Sequence, residues 1–167
     1  MEFRFCPKFF LNLCLKTKTT IMTKRFSVAV DKLIRAFFNE DLKKGECDKC
    51  AVGNICDGSK KWSILFETNP DTLEQDRFGL NQYMFDSDAF EEPLQVIAKT
   101  GYSPEQMAEV EYAFEANTWY EENVKTREDK IQSQFEGLCA VIDKLCEFDE
   151  IQNSEFFKNK LREKFTV

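Results

Sequence analysis

From about residue 123 to 148 the chain contains no proline and places Val124, Ile131, Leu138 and Leu145 seven residues apart, with Phe135 and Ile142 beside them. A seven-residue apolar period spans two helical turns, so these side chains share one face of a long helix that needs other apolar surface to cover it. Six glycines and four prolines in 167 residues leave few sites for the tight turns that join short strands. The expectation is an all-α fold: a single-domain helical bundle of four to six helices around a core rich in phenylalanine, of which there are 17.

Further helices are legible on either side. Phe26, Val30, Leu33, Ile34, Phe37 and Phe38 recur at helical spacing, which predicts an amphipathic helix over 24–42 ending at "LKKG", with lysines in its last turn and Gly45 beyond it. In "GYSPEQMAEVEYAF", Ser103 is an N-cap, Pro104 fits the first helical position and Gln106 completes a capping box. Met107, Val110 and Phe114 line one face of that helix. "NSEFFKNKLREKF" predicts a closing helix capped by Ser154, with Phe157, Leu161 and Phe165 on one side. Residues 60–92 read as an irregular acidic segment with one or two short helices.

The net charge of −7 is unevenly spread: basic residues dominate 1–44, and acids outnumber them two to one over 45–167. Binding to nucleic acid relies on basic groups displacing phosphate counterions, so an acidic domain argues against that partner, and any protein partner is left unidentified. In residues 1–21 the apolar run Phe9–Leu15 is interrupted by Asn12 and lacks a small-residue cleavage site. "MTKRF" at Met22 resembles a natural start. Residues 1–21 are therefore expected to be a non-native or disordered extension, and 22–167 one helical domain. No apolar stretch reaches the ~20 residues that span a bilayer. Seven cysteines without a secretory leader point to reduced thiols in the cytoplasm.

"GECDKCAVGNIC", residues 45–56, concentrates Cys47, Cys50 and Cys56. A C-x2-C pair lets two thiolates grip one tetrahedral zinc, and Cys139 and Cys146, seven apart on the long helix, are the candidates to complete a four-thiolate site. The plainer reading makes those two small hydrophobes within the apolar stripe. A redox dithiol at Cys47 and Cys50 is the other alternative, although such motifs open a helix after a strand, and here a helix precedes the pair. The stretch is expected to connect two helices: Gly45 ends the first, Cys50–Cys56 begins a short second, Cys47 and Cys50 face inward near Cys146, and Gly53 permits close helix approach.

"VIAKTGYSPEQMAEV" has the cadence of a helix-turn-helix, but the second helix carries Glu105, Glu109, Glu111 and Glu115 and no base before Lys125. Phosphate would be repelled, so the segment is a helical hairpin with solvated acidic faces. "ANTWYEENVKTRED" lacks the ligand spacing of a calcium loop. With no histidine, no P-loop, no dinucleotide fingerprint and no nucleophile elbow, an enzyme here would depend on cysteine, carboxylate or lysine.

"C-x-x-C-A-V-G-N-I" after an amphipathic helix, "G-Y-S-P" opening another, and "Q-F-E-G-L-C-A-V-I-D-K-L-C-E-F-D" together resemble a small bacterial family. Its members sometimes carry the name of the F component of the sodium-translocating NADH-quinone reductase. The resemblance covers Met22 to Ile151 and implies matching positions at Cys47, Cys50, Gly53, Asn54 and Cys146, but not Cys56. The reductase name itself does not carry over, because that component needs ferredoxin, flavin and nicotinamide domains for which 167 residues are too few. Its iron–sulfur spacing of x4 then x2 also differs from the x2 then x5 found here. The expected role is a small interaction or accessory protein without catalysis of its own, with a structural zinc site or a redox dithiol as the chemistry to test.

Overall fold

The computed structural model describes residues 22–67, 79–80 and 90–165, and the architecture of these residues is all-α. Six α-helices are present among the described residues: α1 (Lys24–Phe38), α2 (Ala51–Ile55), α3 (Glu91–Ala98), α4 (Pro104–Asn117), α5 (Arg127–Phe148) and α6 (Ser154–Phe165). A 3₁₀ turn at Lys61–Leu65 leads into a two-residue antiparallel pair, β1 (Phe66–Glu67) and β2 (Gly79–Leu80), with Phe66 opposite Leu80. "KKWSILFE" thus supplies both a helical turn and one strand of the extended pair. The expectation for residues 1–21 lies outside the described residues, as does much of the segment 60–92. Among the described residues no helix is long and apolar enough to cross a membrane.

The helices start where polar side chains satisfy their first amides. Thr23 caps α1, and Ser103 and Gln106 form the expected capping box of α4, with Pro104 in the first turn. Helix α5 begins four residues later than its apolar pattern suggests, because Thr126 and Asp129 make a second capping box and Val124 falls in the chain before it. At α6 the cap is Asn153, whose Oδ1 accepts from the Phe156 amide at 3.2 Å, rather than Ser154.

Helix α1 stops at Phe38, short of the expected 42. Its end is a Schellman turn: the Asp41 amide donates to Ala36 O at 2.8 Å and the Glu40 amide to Phe37 O at 3.1 Å. Glu40 takes the left-handed φ of 59° there, while Gly45, at φ 75°, sits further along the connection.

Helices α4 and α5 share the most extensive interface, and α5 also packs on α1 and α6. Gly137 sets how closely α4 and α5 approach, since a Cβ there would meet Thr118 Oγ1 and, at 2.8 Å, the Phe114 ring. The buried centre is made by Phe26, Leu33, Ile34, Phe114, Leu138 and Leu145. A polar staple ties the start of α1 to the end of α5: the fully buried Asp149 carboxylate accepts from Thr23 Oγ1 and, at 2.7 Å, from Arg25 Nε. Arg25 also donates to Gly101 O at 2.8 Å and stacks over the Tyr102 ring.

Candidate functional site

The cysteine stretch folds into a knuckle over the N-terminus of α2. The Cys50 and Lys49 amides donate to Glu46 O at 2.7 and 2.8 Å, and the Lys43 amide donates to Lys49 O at 2.8 Å. The Asn54 side-chain amide ties the turn from beneath, donating to Lys49 O at 2.7 Å and Cys50 O at 3.0 Å. Trp62 Nε1 donates to Cys47 O at 2.8 Å and closes the outer side.

Cys50 is itself the N-cap of α2. Its sulfur accepts from the Gly53 amide at 3.3 Å and donates weakly to Cys47 O at 3.5 Å, the position that serine, threonine or aspartate more commonly fills. Gly53 is required by contact, not by its own backbone angles: a Cβ would meet Cys47 O and, at 2.7 Å, the carbonyl carbon of Asp48. The close approach expected of Gly53 is therefore to the knuckle on its own chain. Gly45 adopts positive φ within the connection, and its amide donates to Glu115 Oε1 at 2.8 Å.

Two acids of α4 complete the floor. Glu111 is 3% exposed; its Oε2 accepts from the Val52 amide at 3.2 Å, and its carboxyl lies against the Cys50 thiol. Burial pushes that carboxyl up to about 7, although the Cys50 and Val52 hydrogen bonds pull it down. Glu115 is 9% exposed and lies beside Lys44, whose ammonium donates to Glu115 O at 2.6 Å and Thr118 O at 2.8 Å. The expectation that all four acids of this helix form solvated faces is corrected here for Glu111 and Glu115. Their four-residue spacing, in register with Met107, is the signal that places them on the inward stripe.

The thiols occupy unlike surroundings. Burial, followed by the Glu111 charge, raises the Cys50 thiol far above its ordinary range. Burial likewise pushes Cys56 and Cys146 up to about 12 and Cys139 up to about 11. Cys139 lies near Lys158 and Arg162 of α6, and Cys146 near Asp143 and Lys158, whereas Cys50, three residues from Cys47, lies over Glu111 of α4. All five described cysteines are free. Among the described residues no three histidine, cysteine, aspartate or glutamate side chains are grouped to hold a metal ion. Among the described residues, Cys47, Cys50, Cys139 and Cys146 are not grouped as ligands of one ion.

No protein-family model, curated protein or solved structure matches the chain.

Proposed function

We propose that this chain is a small cytoplasmic interaction or accessory protein without catalysis of its own, and that its C-x2-C stretch is a folded structural element. The observation that carries the reading is the state of Cys50: its sulfur is buried and caps α2, and its thiol is held protonated by burial and a neighbouring carboxyl. A redox dithiol needs the opposite environment, one that lowers the attacking thiol's pKa and exposes it. Free, buried thiols suit a reducing compartment, and the acidic chain suits a protein partner over nucleic acid.

Alkylation by iodoacetamide at pH 7.5, read cysteine by cysteine by mass spectrometry, tests this reading. Cys50, Cys56 and Cys146 are expected to label slowly in the native protein and rapidly in urea. Fast native labelling of Cys50, with a Cys47–Cys50 disulfide that forms and reduces reversibly, would overturn the proposal in favour of the redox dithiol. Metal analysis of protein purified without chelator tests the zinc expectation independently.

A further inference from the structure

The stretch from Gly45 to Gly58 lies over α4 as a cover with a glycine at either end. Gly45 and Gly58 hold φ of 75° and 76°, and a Cβ added to either would meet nothing within 4 Å. Between them the cover buries Cys50, Ala51, Val52 and Ile55. It is fastened to α4 by two backbone amides, Gly45 on Glu115 Oε1 and Val52 on Glu111 Oε2. Away from α4, the Lys32 ammonium donates to Ile55 O at 2.8 Å and the Trp62 indole to Cys47 O.

The two acceptors sit one turn apart on the buried side of α4, and their charges are met unequally. Glu115 has the Lys44 ammonium 3.9 Å from its Oε2. Glu111, the more deeply buried, makes no ion pair with any described residue. Acting on it are the Cys50 thiol and Val52 amide of the cover and the Glu115 charge on its own helix. The Cys56 thiol lies at the far end of α2, and past it Lys32 of α1 is paired with Asp57 at 2.8 Å. Helices α3 and α5 and strand β2 also pack on α4, but they bring no described charged group that acts on Glu111. Lys144 of α5 is instead held by Glu109, at 3.1 Å.

A buried carboxyl with a second carboxylate one turn away and no cation of its own keeps its proton. Once the cover lifts, water reaches the group and it ionises as an ordinary glutamate. Lifting therefore releases one proton. The window runs from the ordinary 4.5 to about 7: below it both states hold the proton, and above it neither does. Within the window each rise of one pH unit makes lifting up to about tenfold easier.

We propose that residues 45–58 are a proton-latched cover: with Glu111 protonated the stretch is shut over the Cys50 thiol, and loss of that proton loosens it locally while the bundle beneath stays folded. The latch rests on the reading above that Cys50 is buried and caps α2.

Maleimide labelling of the full chain tests it, followed cysteine by cysteine by mass spectrometry from about pH 5 to about pH 8. Dividing the rate in urea by the native rate at each pH cancels the thiolate fraction and leaves the protection of each thiol. Protection of Cys50 should fall about thirtyfold from pH 5 to pH 7 and little further above. At pH 8 Cys146, near Lys158 of α6, should remain at least about tenfold better protected than Cys50. Glu111→Gln, which keeps an acceptor for the Val52 amide, should hold Cys50 protection constant within about twofold over the same range. A dichroism melt establishes that this variant folds, and the profile of the parent chain decides the matter without it. Flat Cys50 protection in the parent, or an undiminished decline in folded Glu111→Gln, would overturn the latch alone. Equal protection of Cys50 and Cys146, lost in step, would also overturn it, because the whole chain would then be opening. Fast labelling of Cys50 at every pH would overturn the latch together with the reading on which it rests.

Discussion

Glu111 ties chemistry to stability through a single proton. Its carboxyl titrates at about 7 in the folded chain against an ordinary 4.5, so between these values the folded state keeps a proton that the unfolded state has lost. The contribution of this group to stability is therefore full below pH 4.5, declines as pH rises to about 7, and is flat above that. Replacing Glu111 with Gln keeps an acceptor for the Val52 amide and removes the titration. Urea melts should show the variant and parent converging near pH 4.5, with the variant more stable at pH 8 by on the order of 1–3 kcal/mol. A parallel offset at all pH values would show that Glu111 does not titrate in this window. The neighbouring Gly53 gives a sharper result. Ala at 53 places a Cβ against the Cys47 and Asp48 backbone, which cannot swing aside, so Gly53→Ala should cost more than about 2 kcal/mol in a urea melt. Of these residues, Gly53 was legible as a point of close approach and Cys50 as the start of α2. What the thiol does as a cap, and which acids of α4 turn inward, depends on the fold packed around them.

Helix starts in this chain follow side-chain chemistry that a sequence displays, and the Ser103–Gln106 box is found where its spacing places it. Helix ends do not. Glycine is the usual signal for the left-handed residue after a helix, but here Glu40, Asp57 and Glu150 occupy that position with φ of 59°, 57° and 54°. Each is followed by the long Schellman bond, at 2.8 Å in all three cases: Asp41 to Ala36 O, Gly58 to Gly53 O and Ile151 to Cys146 O. That is why α1 stops short of the "LKKG" signal. An acid in this conformation carries steric strain that glycine avoids. Glu150 is exposed, so its side chain has little packing to lose, and Glu150→Gly should raise stability by about 0.5–1 kcal/mol, seen as a higher Tm with unchanged helical signal. A lower Tm would mean that the added freedom of the unfolded chain outweighs the relieved strain.

The all-α architecture was legible because the 3.6-residue stripes of α1, α4, α5 and α6 leave little chain for anything else, and the scarcity of glycine excludes many turns. The order in which those stripes meet was not, since a stripe records that a face is buried and not against what. The closing helix decides whether the described chain unfolds as one body. On α6, Phe157 is 4% exposed and its ring meets Phe26 of α1 edge-on, 5.2 Å between centroids, while Leu161 is fully buried. Beside them the Lys158 stem is covered and its ammonium reaches Asp143 of α5 at 2.9 Å. Helix α6 thus bridges the first helix and the longest one, in parallel with the Arg25–Asp149 staple at the same end. Phe157→Ala removes a large buried ring and leaves a cavity against Phe26, a loss of about 3–5 kcal/mol in a site that cannot collapse. If the bundle is cooperative, that whole loss should appear in one transition, with far-ultraviolet dichroism and tryptophan fluorescence shifting together to lower urea. Trp62 and Trp119 both lie outside α6, so a dichroism change that precedes an unshifted fluorescence transition would show instead that α6 detaches alone and that the core beneath it holds without it.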